Sequence, residues 1–530
     1  MHTNLLPPVL LTCTLLASGI AAQQLPGDRT LGAETLTADT LRGFLSVLAS
    51  DEFEGRGTGQ PGYKKAADFV VEHFKSLGLK PGMPDGSFTQ AVPWVLIEID
   101  AEKWAFDVSN GSTKASIAMD EVHGTVNGDM EVKGEAVILK GNDAGGVDLT
   151  DKVVFVLPDD QPAGQRGGRR GAGRRGGRRG GTASPTAGAA AVFQVNDASF
   201  GRTDELIGAN FANTNPAQRG AGRRGGLSNQ LVISQASLEK VIAVSGKNLA
   251  AVTNSGGATP LGCEISFKLD TNEVQAPAHN VVAVLEGSDP QLKNEYVVIG
   301  AHLDHLGKRG DVIYNGADDD GSGSAGVMAI AQAFAKNHVV PRRSIMFLAF
   351  CGEERGLVGS NWFASNPPIE LSQIVVELQV DMIGRDEEEV NRRTGEVVES
   401  ASDNTNTLHL IGTEKLSTDL HELCLKLNTG RAKFELEWDE EDVYYRSDHF
   451  SFAKYGVPIA FFFTGFHRDY HQATDTIEKI NFEKLARISK YVYDIGFEIA
   501  QADGRPMIEA ELWEKMERKG SANPAGPIKK

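Results

Sequence analysis

Cysteine is scarce in this chain. There are four among 530 residues; Cys13 falls in an N-terminal apolar run, and Cys263, Cys351 and Cys424 form an odd, widely spaced set that no disulfide framework would use. Basic residues are outnumbered, 53 Lys and Arg against 71 Asp and Glu, and the net charge of −18 argues against nucleic acid as a partner of the whole surface, since phosphate binding needs cationic excess. Beyond the N-terminus no stretch approaches the roughly 20 apolar residues of a membrane-spanning helix, so no membrane span is expected. The N-terminus itself reads MHTNLLPPVLLTCTLLASGIAAQQ. An apolar run of this length ending in small residues is read as a signal peptide, residues 1–22, cleaved near Ala22, although no Lys or Arg precedes it. The mature protein is therefore expected to be secreted or periplasmic, and Cys13 lacks the context of a lipid-anchored cysteine.

What is present suffices for two or three cores: 41% of the residues are apolar. Residues 37 to 80 carry helical periodicity in two segments, with Thr37 or Asp39 as N-cap and Gly78 as a stop. VPWVLIEIDAEKWAFDV then changes to a period near two, the pattern of strands. Two α/β segments are expected at 23–120 and 271–505, separated by a β-rich insertion at 121–270 and followed by a tail at 506–530. Inside the insertion, QRGGRRGAGRRGGRRGG at 165–181 and QRGAGRRGG at 218–226 hold seven and three arginines. Such tracts cannot build a core and are expected to be disordered. They could meet RNA, but no aromatic residue is interleaved for base stacking, so a solvated loop is preferred and no nucleic-acid partner is expected. From 280 onward, continuous apolar strands (HNVVAVLEG, EYVVIGAHLD, SIMFLAFCGEE) alternate with helices. The fold class is therefore α/β, with a mixed, largely parallel central sheet covered by helices on both faces.

In such sheets ligands bind beyond the carboxyl ends of the strands. Polar residues collect there: His302 and Asp304, Asp318 to Asp320, Glu353 and Glu354, Asp381, Tyr470 and His471. Singly each has an ordinary explanation as a cap, turn or surface residue. Together they bring charge against a dry interior, which is costly unless the groups are paired or bind metal. Imidazoles with carboxylates suit zinc, and His302, Asp319, Glu354, Asp381 and His471 are five ligands where one catalytic zinc takes three. Two Zn2+ per chain resolve the count if Asp319 bridges, with His302 and Asp381 on one ion and Glu354 and His471 on the other, sharing a water as nucleophile. Glu353, adjoining a ligand, is expected to be the general base. Asp304, two residues past His302 on a strand, is expected to orient its imidazole, the alternative being a structural salt bridge.

AHLDHLG, NGADDDGSGSAGV, FCGEERGLVGS, VDMIGR, RSDHFSFAKYGVP and YHQATDT, in this order, resemble the zinc metallopeptidase family of the bacterial leucyl aminopeptidases, glutamate carboxypeptidase II and the transferrin receptor. The resemblance covers about 280 to 480 closely. It implies the zinc exopeptidase fold, the same five ligands and base, and a role for Tyr470 in holding the tetrahedral intermediate, against the alternative of an ordinary packed aromatic. The insertion resembles a protease-associated domain. Ser447, Asp448 and His449 match the family's S-D-H segment, which places Asp448 behind the ligands or along the cleft; Asp475 and Thr476 read as a helix cap. The implied function is an exported di-zinc aminopeptidase acting on peptide substrates. Alternatives are a carboxypeptidase or dipeptidase, for which Arg446 could receive a substrate carboxylate while Asp439, Glu440, Glu441 and Asp442 could hold an amine; a glutaminyl cyclase; and a non-catalytic receptor-like scaffold.

Overall fold

The structure, a computed structural model, describes residues 30–141, 143–157, 186–195, 206–208, 210–211, 229–253, 256–276, 278–390, 397–438 and 441–518. The signal segment, both Arg/Gly tracts, Asp439, Glu440 and the last twelve residues of the tail lie outside them.

Nine strands make the central sheet: β1 (Lys80–Pro81), β2 (Thr89–Ala91), β3 (His279–Leu285), β4 (Tyr296–His302), β5 (Ser344–Phe350), β6 (Ile374–Val380), β7 (Thr407–Ile411), β8 (Glu435–Glu437) and β9 (Ile459–Phe463). Their order is β1-β3-β5-β4-β6-β9-β7-β8, with β2 beside β3. β5, β4, β6 and β9 run parallel, and antiparallel pairings at β3 and β7 make the sheet mixed. β5, β6 and β9 are buried at every position, because helices cover both faces and polar side chains would be stranded there.

The helices that matter are α1 (Ala38–Leu48), α2 (Pro61–Ser76), α3 (Gly323–Lys336), α4 (Val358–Ser365), α5 (His449–Ala453) and α6 (Phe482–Gln501). Thr37 caps α1 by accepting from Thr40 N–H, and Gly78 follows α2 at φ 73°, as the sequence indicates. The apolar stripe of α6, including Leu485, Ile488, Val492, Ile495 and Ile499, is buried on the sheet beside α3, where each such side chain contributes about 1.5–3 kcal/mol. Close approach of α3 to β6 depends on Gly323: a Cβ there would lie 2.5 Å from the Val380 carbonyl.

A second nine-stranded sheet has its own core around Phe106, Phe155, Phe193 and Phe267. Ala105–Ser109 and Lys114–Ser116 lie at one edge of it, so the expected segment boundary at 120 falls within this sheet. The chain reaches it through Val95–Ile99 and leaves through Thr271–Gln275, which pair antiparallel as a ribbon. The three described cysteines are free and buried. No helix among the described residues is long and apolar enough to cross a membrane.

Candidate metal centre

Loops at the carboxyl ends of β4, β5, β6 and β9 converge on one cleft, lined by His302, Asp319, Glu353 and Asp381. β4 ends on His302, whose Nδ1 lies 2.9 Å from the Asp304 carbonyl. A carbonyl only accepts, so Nδ1 carries the hydrogen and Nε2 presents its lone pair to the cleft. Nε2 stands 3.3 Å from Asp319 Oδ1, 3.5 Å from Asp381 Oδ1 and 3.9 Å from Glu353 Oε2. The strand stops at His302, so alternation no longer places Asp304's side chain: its carboxylate is 3.9 Å from the ring and Oδ1 instead accepts the Glu353 N–H at 3.1 Å. The main chain of Asp304, not its carboxylate, holds the imidazole.

Asp319 stands in the middle, with Oδ2 3.2 Å from His471 Nε2. Its N–H and that of Asp318 donate to the Asp475 carboxylate at 3.1 and 3.0 Å. Asp475 thus braces the central carboxylate's loop, a larger task than the helix cap expected of it. Glu354 reaches His471 with Oε2 (3.1 Å) and His305 Nδ1 with Oε1 (2.8 Å). Asp381 faces His302 with Oδ1, and its Oδ2 accepts the Ser447 hydroxyl at 2.6 Å. Ser447, rather than Asp448, makes this contact; Asp448 is buried near Ser360 and pushed up to about 7 by burial. His449 turns away to the Tyr444 carbonyl. Tyr470 stacks on His471 with centroids 3.9 Å apart, and its hydroxyl accepts from Arg446 Nη2 at 3.1 Å.

The structure therefore brings all five expected ligands and Glu353 together, and adds two residues that sequence reasoning did not single out. One is His305, fully buried, 3.7 Å from Asp319 Oδ2 as well as beside Glu354. Gly316 makes room for it: a Cβ there would lie 2.4 Å from the His305 ring, a closeness that carries no sequence signal. The other is Arg56, buried on a turn between α1 and α2, which donates to the carbonyls of Leu48, Leu303, Asn315 and Gly316 at 2.7 to 2.9 Å.

Electrostatics follow from this crowding. Burial and Asp319 push the Glu354 carboxyl up, yet His305 and His471 outweigh them and hold it at about 2. Burial disfavours charge on His471, but Asp319 and Glu354 raise it to about 10. Burial, only partly opposed by His302, drives Glu353 well above the carboxylate range. Asp319 Oδ2, Glu354 Oε1 and both His305 nitrogens are buried and, although Glu354 Oε1 lies 2.8 Å from His305 Nδ1 and Asp319 Oδ2 3.2 Å from His471 Nε2, none makes a well-aligned hydrogen bond among the described residues. Ligand atoms meet in two trios, His302–Asp319–Asp381 and His305–Asp319–Glu354, sharing Asp319. Zinc bonds of about 2.0–2.1 Å in a tetrahedron put ligand atoms about 3.3 Å apart, the range of the separations at His302 and His471. The donor set, the stranded atoms and the spacing all fit zinc.

Residues 280–495 match the model of Peptidase family M28. Leucine aminopeptidase 1 of Paracoccidioides brasiliensis (strain Pb03) is 29% identical over 225 residues, 41% of this chain and 55% of that protein. Leupeptin-inactivating enzyme 1 of Streptomyces exfoliatus is 27% identical over 238 residues, covering 41% and 47%. The chain spans about half the length of these curated relatives. Among solved structures, an aminopeptidase from Aneurinibacillus sp. strain AM-1 superposes with TM-score 0.54 at 20% identity, covering 91% of this chain and 98% of that one. A zinc aminopeptidase from Bacillus subtilis gives 0.52 at 16%, covering 92% and 97%. These likenesses show the shared fold.

Proposed function

We propose that the protein is a di-zinc aminopeptidase that removes N-terminal residues from peptides, a reading supported by the match of residues 280–495 to the model of Peptidase family M28. The observation that carries this reading is the pair of ligand trios sharing Asp319 beside a buried Glu353. His302 and Asp381 would hold one ion and Glu354 and His471 the other, with His305 against them and Asp319 shared between the two groups. Zinc held there would supply Lewis acidity toward the scissile carbonyl and toward a water.

The chain's own residues do the rest. Glu353 takes the proton at Oε2 and returns it to the leaving amine, a shuttle suited to a carboxyl whose affinity for protons burial has raised. Tyr470 accepts from Arg446, so its own hydroxyl hydrogen is free to donate to the oxygen that gains charge. Asp475 and Arg56 hold the loops. The apolar segment 1–22 acts as an export signal, so secreted protein should begin near Gln23 by N-terminal sequencing.

The test is metal content and hydrolysis of aminoacyl chromogenic substrates by the wild type and Glu353→Ala. About two zinc ions per chain in both, with activity lost only in the variant, is expected. Wild type with neither metal nor hydrolysis would sink the reading. Arg446 lines the cleft and supports a second reading, a carboxypeptidase or dipeptidase; cleavage of N-blocked, free-carboxyl peptides in preference to free-amine substrates would favour it.

A further inference from the structure

Behind Asp381 lies a row of buried polar groups that the proposed chemistry does not use. β6 reads IVVELQV and is buried throughout; Glu377 and Gln379 interrupt its apolar run and, two apart, share a face. Neither Glu377 oxygen nor Gln379 Oε1 has a hydrogen bond among the described residues. Both face the space left by Gly300 on β4, where a Cβ would lie 3.2 Å from Gln379 Oε1 and 3.3 Å from Glu377 Oε1. At its other end Gln379 Nε2 donates to Ser447 Oγ at 3.3 Å, and Ser447 Oγ donates to Asp381 Oδ2 at 2.6 Å.

Two bare acceptors facing one dry spot are each costly to leave unpaired. A proton on one of them turns the conflict into a bond. Glu377 is able to carry it, since burial, and then the Asp448 carboxylate at the start of α5, hold it well above the usual carboxylate range.

We infer that Glu377 is a positioning residue: as a neutral acid it donates to Gln379 Oε1, fixing that amide with its NH2 toward Ser447 and thereby the Ser447 hydroxyl hydrogen on Asp381. The inference rests on the metallopeptidase reading, in which Asp381 is a ligand. Without a donor at Glu377 the Gln379 amide is free to flip and offer Oε1 to Ser447. The Ser447 hydroxyl then donates to Gln379, and Asp381 loses the bond that aims it.

Zinc competition against a chelator, with zinc per chain read at equilibrium, tests this on the full chain. Glu377→Gln retains an N–H donor of the same shape and should bind both ions as the wild type does. Glu377→Leu should weaken one of the two by about ten-fold or more and leave the other unchanged. Gln379→Met removes the amide oxygen that would draw the Ser447 hydroxyl away, so Glu377→Leu/Gln379→Met should bind zinc more tightly than Glu377→Leu alone. Wild-type affinity in Glu377→Leu, or equal impairment in Glu377→Gln, overturns the relay alone. Should Glu377→Leu fail to fold by circular dichroism, Glu377→Met decides: wild-type affinity there overturns the inference. A wild-type protein that takes up no zinc sinks the peptidase reading and this one with it.

Discussion

Replacing Arg56 with Met should cost the protein a substantial share of its stability. The guanidinium makes four hydrogen bonds to main-chain carbonyls, each worth about 1.5–3 kcal/mol when the donor is charged. It also faces Asp320, Asp475, Asp319 and Asp304, while burial pulls its own pKa down. The gross sum of about 6–12 kcal/mol is not the net effect, because burying the cation costs several kcal/mol and water re-solvates part of what Met exposes. Breaking a buried charged arrangement typically costs about 3–5 kcal/mol, and that is the expected loss, against a total stability of about 5–15 kcal/mol. Arg56→Lys should recover little, since an ammonium cannot serve four carbonyls set out for a planar fork. Urea unfolding at pH 7, with chelator present to remove metal linkage and an unchanged m-value as control, reads the difference. A loss below about 1 kcal/mol for Arg56→Met would refute the reasoning.

His305→Ala should weaken one of two zinc ions by about 10–100-fold and spare the other, by chelator competition; equal loss of both would contradict its place on the Glu354 side. Tyr470→Phe should lower kcat by about 10²-fold with KM little changed, measured on an aminoacyl chromogenic substrate, and an unchanged kcat would leave the residue a packing aromatic. Burial holds His449 neutral, at about 3, against about 6.5 in the unfolded chain. The unfolded state therefore binds more protons, so this contribution is complete above pH 6.5 and is lost as pH falls from there toward 3. His449→Phe should flatten the stability profile over that window, and an unchanged slope would contradict the assignment.

The parts of the fold legible in the sequence are those with local patterns. Continuous apolar strands announced the central sheet, and Thr37 and Gly78 marked helix ends. His302, Glu354 and Asp381 were legible because they lie at or just past the ends of such strands, where charge against a dry interior needs an explanation; Asp319 and His471, farther from one, were legible only in combination with them. Arg56 was not, because its partners are carbonyls up to 260 positions away that carry no side-chain signature. His305 was passed over because strand alternation was extended past His302, where the strand has ended. Glu377 looked like one polar residue in an apolar run; only the pairing of Gly300 with Gln379 shows the space it faces.

The ribbon leading to the second sheet has a consequence for how this chain can be rebuilt. Its ends are hydrogen-bonded neighbours, Ala276 N–H donating to the Trp94 carbonyl at 3.2 Å, so everything between them is a side loop whose length the central sheet does not sense. Trp94 itself is fixed, buried with its ring 3.3 Å from the Cβ position of Gly352, next to Glu353. Insertions, swaps or deletions between 95 and 275 can thus be made as editing of an appendage, provided the tryptophan that plugs the back of the Gly352 loop stays in place.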